Sequence, residues 1–220
     1  MNNNLIVEKK FDEIADKYEF YRYTQLLRAK KVKNILGLYD LDNPKTRILD
    51  IGVASGELAE LYLSNQSFTG VDISSKMIRK AKKRIPGANF IKGDGESLLF
   101  EDNYFDLVVL SEVLYYMKNP IHCLLEVYRV LKPGKILIIF SRNQFWHKFD
   151  WLRKLFGIGP SDDLVNKMYY EKEIVEMTSK AKFKEIKAET FCFVPFKKFM
   201  IFDKTPLKKY GHLIFLNAKK

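Results

Sequence analysis

The stretch Arg47-Ile48-Leu49-Asp50-Ile51-Gly52-Val53-Ala54-Ser55-Gly56-Glu57-Leu58-Ala59-Glu60 decides how the rest of the chain is read. Ile48, Leu49 and Ile51 make a short apolar run, glycines cut it, and helical periodicity opens at Glu57. That order predicts a buried strand, a tight loop and a helix, the first unit of an α/β sheet. Gly52 and Gly56 permit a sharp turn and keep a Cβ out of the path of an approaching ligand. The loop amides and the helix N-terminus then face that ligand.

Asp50 separates two readings of the loop. A dinucleotide site would carry G-x-G-x-x-G after the strand. Here Asp50, Gly52, Ala54 and Gly56 give D-x-G-x-A-x-G. This resembles the first motif of the class I S-adenosylmethionine (SAM)-dependent methyltransferases, D/E-x-G-x-G-x-G. Ala54 stands where that family has its middle glycine, a departure that bears on how closely the loop approaches the cofactor. An ordinary βα turn is the alternative.

Downstream, Ser67 to Ile73 reads as a second strand ending in Asp72, 22 residues after Asp50. A carboxylate there can accept both hydroxyls of a ribose. It can equally cap the next helix, as can Ser74 or Ser75. Capping by a serine leaves Asp72 for the ribose, with Ile73 and Met77 placed to pack on an adenine. Ala88 to Gly95 gives a third strand and its loop. The resemblance implies that Asp94, followed by Gly95 and Glu96, lies beside the adenine, where a carboxylate accepts from the exocyclic amine. An Asp-Gly turn is the plainer reading. Asn103 to Glu112 is continuously apolar, as a buried parallel strand is. It resembles the family's F-D-x-V strand, with Ser111 and Glu112 at the mouth of the site and the aromatic run Leu114 to Met117 next. A helix from Pro120 to Leu131, a Leu-Lys-Pro-Gly turn and a strand from Lys135 to Phe140 follow.

Upstream, Glu8 to about Leu38 is helical by pattern, in two pieces. Phe11-Asp12-Glu13-Ile14-Ala15-Asp16-Lys17-Tyr18 resembles the F-D-x-x-A-x-x-Y opening of small-molecule methyltransferases. The resemblance implies a helix closing over the cofactor with Tyr18 at the site; a core contact of an amphipathic helix is the alternative. Five such matches fall in register between Phe11 and Phe140. The nearest branch includes the ubiquinone and menaquinone C-methyltransferases.

The implied fold is a Rossmann-like, seven-stranded, mostly parallel sheet with helices on both faces, an antiparallel last strand and helical cap elements. It fills one domain, 1–220, with a lid at 1–40, a SAM-binding core at 45–140 and a C-terminal part at 141–220. Two stretches, 144–168 and 191–211, exceed the bare fold. Both are rich in aromatic and basic residues, including Trp146, Trp151, Lys197 and Lys198. Three placements stay open for them: a cap over the acceptor, a peripheral membrane contact and a homodimer interface.

Composition bounds the rest. At 220 residues and 47% hydrophobic, the chain suits one globular domain. It has no run long enough to span a bilayer and no signal-peptide pattern. Its two cysteines, Cys123 and Cys192, make no disulfide framework and read as buried thiols, which points to a reducing, cytoplasmic setting. The net charge of +11 comes largely from helix lysines. Solvated faces account for it, or attraction to an anionic membrane or acidic substrate; no nucleic-acid motif accompanies it. His122, His147 and His212 lack metal-ligand spacing, so no metal is expected.

The expected function is SAM-dependent methyl transfer to a small, apolar or lipid-like acceptor. Displacement at a sulfonium demands positioning more than acid–base groups. Tyr116 and His147 are candidates for a base by location only. A non-catalytic SAM-fold binding module and an NAD(P)-dependent oxidoreductase are the alternatives.

Overall fold

Ile48, Leu49, Leu107 to Leu110, Ile136 to Phe140 and Leu213 to Leu216 are buried on both faces of their strands. Such runs fit the middle of a sheet covered on each side. The computed structural model describes residues 3–15, 22–149, 167–192 and 210–220. Within them, β1 (Arg47–Ile51), β2 (Ser67–Asp72), β3 (Asn89–Lys92), β4 (Phe105–Ser111), β5 (Leu131–Arg142), β6 (Lys184–Phe191) and β7 (Leu213–Lys219) form one seven-stranded sheet. Its order is β3-β2-β1-β4-β5-β7-β6. The first five strands are parallel, and β7 runs antiparallel to both β5 and β6. The Rossmann-like sheet with its antiparallel last strand is therefore observed.

Alternation along the strands assigns the two faces. Ile48, Leu107, Val109, Ile136 and Ile138 pack under α2 (Arg22–Leu38), α3 (Glu57–Tyr62) and α4 (Ser75–Arg84). Leu49, Val108, Leu110, Leu137 and Ile139 pack under α5 (Pro120–Val130) and α6 (Glu171–Lys180). A further helix, α1 (Asn3–Ile14), packs across α4 at the C-terminal ends of β2 and β3. Among the described residues, no helix is long and apolar enough to cross a membrane.

Several boundaries differ from the pattern reading. α3 ends at Tyr62 rather than near Asn65, because Leu63 turns extended while its N–H still closes on Ala59. Gly37 lies inside α2 rather than ending it. Leu131 to Gly134, read as a turn, is the first part of β5: Leu131 pairs with Phe105 before the register shifts. The helical pattern from Gln144 gives a 3₁₀ helix, Gln144–Phe149. The rest of the two cap stretches lies outside the described residues, apart from their ends. At those ends the Trp146 indole donates to the Tyr210 carbonyl (2.6 Å) and Phe145 stacks at a tilt on Tyr210. Cys123 and Cys192 are buried free thiols.

Candidate functional site

The chain runs from β1 outward to β3, then crosses back to β4 and β5. At that reversal the connections leave β1 and β4 in opposite directions and open a crevice at the strands' C-terminal ends. A cleft occupies it, enclosing about 960 Å³ with its open mouth included. Its floor is the loop after β1. Gly52, at φ 77°, donates to the Val71 carbonyl (2.8 Å), and a Cβ there would stand 3.0 Å from that of Val113. Ala54 adopts φ 47°. This left-handed conformation costs a residue with a Cβ about 1–2 kcal/mol and explains why a glycine is usual at the position. The Ala54 N–H donates to Asp72 Oδ2 (2.9 Å), tying the loop to β2. Gly56, at φ 80°, is the N-cap residue of α3 and does not itself line the cleft.

Asp72 and Asp50 are the buried acids of the floor. Ser74 caps α4 by accepting from the Met77 N–H (3.1 Å), as one sequence alternative had it. Asp72 is not idle, however: Oδ1 accepts from the Ser74 N–H (2.8 Å) and Oδ2 from Ala54. The carboxylate has more acceptor capacity than these amides use, and the residue lines the cleft, so a ribose hydroxyl can still be accepted. Burial pushes its carboxyl up to about 6, against the Ser74, Ala54 and Ile73 amides that favour the anion; Asp12 adds to the rise. Asp50 is more enclosed. Burial raises its carboxyl to about 7, opposed by the Tyr62 hydroxyl that donates to Oδ2 (3.0 Å) and assisted by Asp72. Its Oδ1 is buried with no hydrogen-bond partner among the described residues, an acceptor aimed at whatever enters.

On the β3 side, Asp94, Gly95 and Glu96 all line the cleft. Asp94 Oδ1 accepts from the Glu96 N–H (2.9 Å), so the turn reading of this residue is correct for one oxygen. The other oxygen accepts from the amide of Asn4 on α1. A Cβ on Gly95 would fall 2.8 Å from the side chains of Ile51 and Met117, so any larger residue would make both shift. Glu96 accepts from the N–H groups of Lys118 and Asn119 and holds the next loop in place.

At the β4 end, Ser111 lines the cleft and Glu112 follows at φ 55°. Strain of this kind in a buried side chain marks functional corners. Glu112 pairs with Arg28 of α2, lies 3.6 Å from Arg142 and accepts from the Tyr115 hydroxyl (3.0 Å). Burial would raise its carboxyl, but Arg28 and Arg142 outweigh that, aided by His212 and Tyr115, and hold it below the usual range. Sequence reasoning missed Arg28 and Gln25, which both line the cleft. The signal was available: Gln25, Arg28, Val32 and Ile35 share the buried face of α2, so an arginine stands where the apolar stripe should continue.

The remaining candidates divide. Ile73 lines the cleft. Met77 is fully buried and does not line the cleft. Tyr116 lines the cleft and meets Phe11 of α1 edge to face, ring centroids 5.2 Å apart. Tyr18 lies outside the described residues, as does the side chain of His147. Helix α1 lines the cleft with Asn4, Val7 and Phe11 and is held by polar contacts. Asn4 bonds Asp94, Glu8 pairs with Lys92 (2.6 Å), and Asp12 accepts from the Ser74 hydroxyl and the Lys76 N–H.

A family described as a methyltransferase domain matches residues 49–139. Over 96% of this chain and 98% of its own length, the uncharacterized protein MJ1123 of Methanocaldococcus jannaschii is 30% identical. The demethylmenaquinone methyltransferase of Renibacterium salmoninarum is 33% identical over 63% of this chain and 60% of its own length, so the match leaves much of that enzyme uncovered. Among solved structures, a Thermotoga maritima SAM-dependent methyltransferase, described as a possible histamine N-methyltransferase, superposes with TM-score 0.70 at 24% identity, covering 96% of this chain and 98% of that one.

Proposed function

Because this chain belongs to the class I SAM-dependent methyltransferases, we propose that it transfers the methyl group to a small, largely apolar acceptor. One observation carries the acceptor class: beyond the acids, the cleft is walled by Val7, Phe11, Val113, Tyr116 and Met117. Water is a poor competitor in such a pocket, and an apolar acceptor gains from burial there. The similarity to a demethylmenaquinone methyltransferase supports the same class.

The floor fits the cofactor. Asp72 has acceptor capacity for a ribose hydroxyl, and the unpartnered Oδ1 of Asp50 suits a cationic or N–H donor. Asp94, Gly95, Glu96 and Ile73 would flank the adenine. The Arg28 guanidinium, buried beside Glu112, is a partner for a carboxylate. When bound, SAM supplies an activated methyl, whose bond to sulfur breaks as the bond to the acceptor forms. The chain's part is to align the two reactants and to exclude water. Phe11 and Tyr116 close the wall from two elements, and their ring faces suit a sulfonium. Tyr116 is also the side chain at hand for an acceptor that must lose a proton.

Calorimetric titration with SAM, S-adenosylhomocysteine and NADH tests the reading, with Asp72→Ala in parallel. Micromolar binding of the first two is expected, weakened by about 1–3 kcal/mol in the variant. Binding of NADH alone would overturn it. Binding without turnover across an acceptor screen with labelled methyl would favour a non-catalytic module.

A further inference from the structure

Helix α1 has an outer face that the cleft does not use. α1 turns Val7 inward and leaves Leu5 62% and Ile6 40% exposed, with Lys9 exposed beside them. Large aliphatic side chains in sequence on one helix are costly to leave in water. The helix that α1 crosses, α4, carries Lys76, Arg79, Lys80, Lys82, Lys83 and Arg84 and no acid. Arg84 is occupied by Ser55, Glu57 and Glu60, and Lys80 reaches the Ala15 carbonyl. Arg79, Lys82 and Lys83 are exposed. Nearby acids are partly spent: Glu8 on Lys92, and Asp12 on the N-terminus of α4, with Glu13 left exposed on α1.

We propose that this face, the outer side of α1 with the basic side chains of α4, docks on an anionic lipid bilayer. Lysines and arginines meet acidic head groups, and Leu5 and Ile6 enter the boundary between head groups and acyl chains. Charge complementarity alone would suit a nucleic acid as well, but a phosphate backbone offers nothing to two exposed aliphatics. Because Asn4, Val7 and Phe11 of the same helix line the cleft, docking through α1 holds the cleft close to the bilayer, where an apolar acceptor is dissolved. That last step rests on the acceptor class proposed above; the docking itself does not.

The test is flotation of the full chain, without SAM, on vesicles of phosphatidylcholine alone and of phosphatidylcholine with phosphatidylglycerol. Binding to the acidic vesicles only, reduced by salt, is expected. Lys9→Gln, Arg79→Gln and Lys83→Gln should each weaken it about fivefold. Leu5→Gln with Ile6→Gln should remove the salt-resistant part while leaving SAM affinity unchanged by calorimetry. No binding to acidic vesicles, or equal binding by all variants, overturns the proposal. Tighter binding to poly(U) that ignores the Leu5 and Ile6 substitutions overturns it in favour of a nucleic-acid surface. Vesicle binding is read without turnover, so failure of methyl transfer and failure of docking are separate results.

Discussion

Ala54 holds a left-handed backbone that its Cβ disfavours, and it does so to point its N–H at Asp72. Ala54→Gly removes the steric cost and adds chain entropy on unfolding, so the net gain should be about 0.5–1 kcal/mol. Urea titration checks it; a loss of stability would mean that the alanine methyl packs usefully. Arg28 is the opposite case, a residue whose removal leaves a charge behind. Arg28→Met takes from Glu112 its nearest cation, leaving Arg142 at 3.6 Å and the Tyr115 hydroxyl, and should cost about 3 kcal/mol or more. Asp50 sets a pH dependence. Its folded carboxyl is raised to about 7, so its contribution to stability is full below the unfolded value near 4 and is lost as pH rises through 7. Stability of the ligand-free chain measured from pH 4 to 7.5 should therefore fall less steeply in Asp50→Asn, which keeps an acceptor for Tyr62. An identical slope would show that Asp50 titrates normally.

At the scale of elements, two helices are organised around one serine. Ser74 caps α4 and also donates to Asp12 of α1, so the cap and α1 share a side chain. Ser74→Ala should cost about 1 kcal/mol in stability through the lost cap. It should also speed hydrogen exchange in α1 more than in α5, whose own cap, Asn119 on His122, is remote. Equal protection of α1 before and after would place the hold on this helix in its apolar contacts, Val7 and Phe11, instead. The contacts of Asn4, Glu8 and Asp12 fall on the C-terminal ends of β2 and β3 or the start of α4, the same places that frame the cleft. The position of α1 and the geometry of the cleft are therefore one problem in this fold.

For the whole molecule, binding and stability are linked. At one hundred times its Kd, a ligand that binds only the folded chain adds about 2.7 kcal/mol. In a chain of this length that corresponds to a Tm rise of about 5–10 °C. SAM should produce it, NADH should not, and Asp72→Ala should reduce it; an equal rise with NADH would contradict the site as drawn. The sheet order makes the site possible, because the reversal between β1 and β4 leaves a crevice with Asp50, Asp72 and Glu112 around it.

Sequence alone determined the strand–loop–helix units, their order and the acids at the strand ends. These depend on local rules: apolar runs for covered strands, glycine at turns, a serine before a helix. Asp50, Gly52, Asp72 and Glu112 were legible for that reason, since strand ends are local and the sheet delivers them to one edge; Asp94 was singled out by the family resemblance, where local rules gave only an Asp-Gly turn. Only the tertiary structure decided what those groups meet. That the Ala54 amide reaches Asp72 from 18 positions upstream, that Asn4 takes one oxygen of Asp94, and that Arg28 pairs with Glu112 across 84 positions of chain are all long-range contacts. No periodicity encodes a partner so distant, though the arginine on an apolar stripe hinted that one existed. Met77 shows the same division: a residue in the first turn of a helix that follows a strand looks like a ligand contact, and only packing showed its side chain wholly buried. Periodicity says which way a side chain faces relative to its own element; the docking of elements decides what lies there.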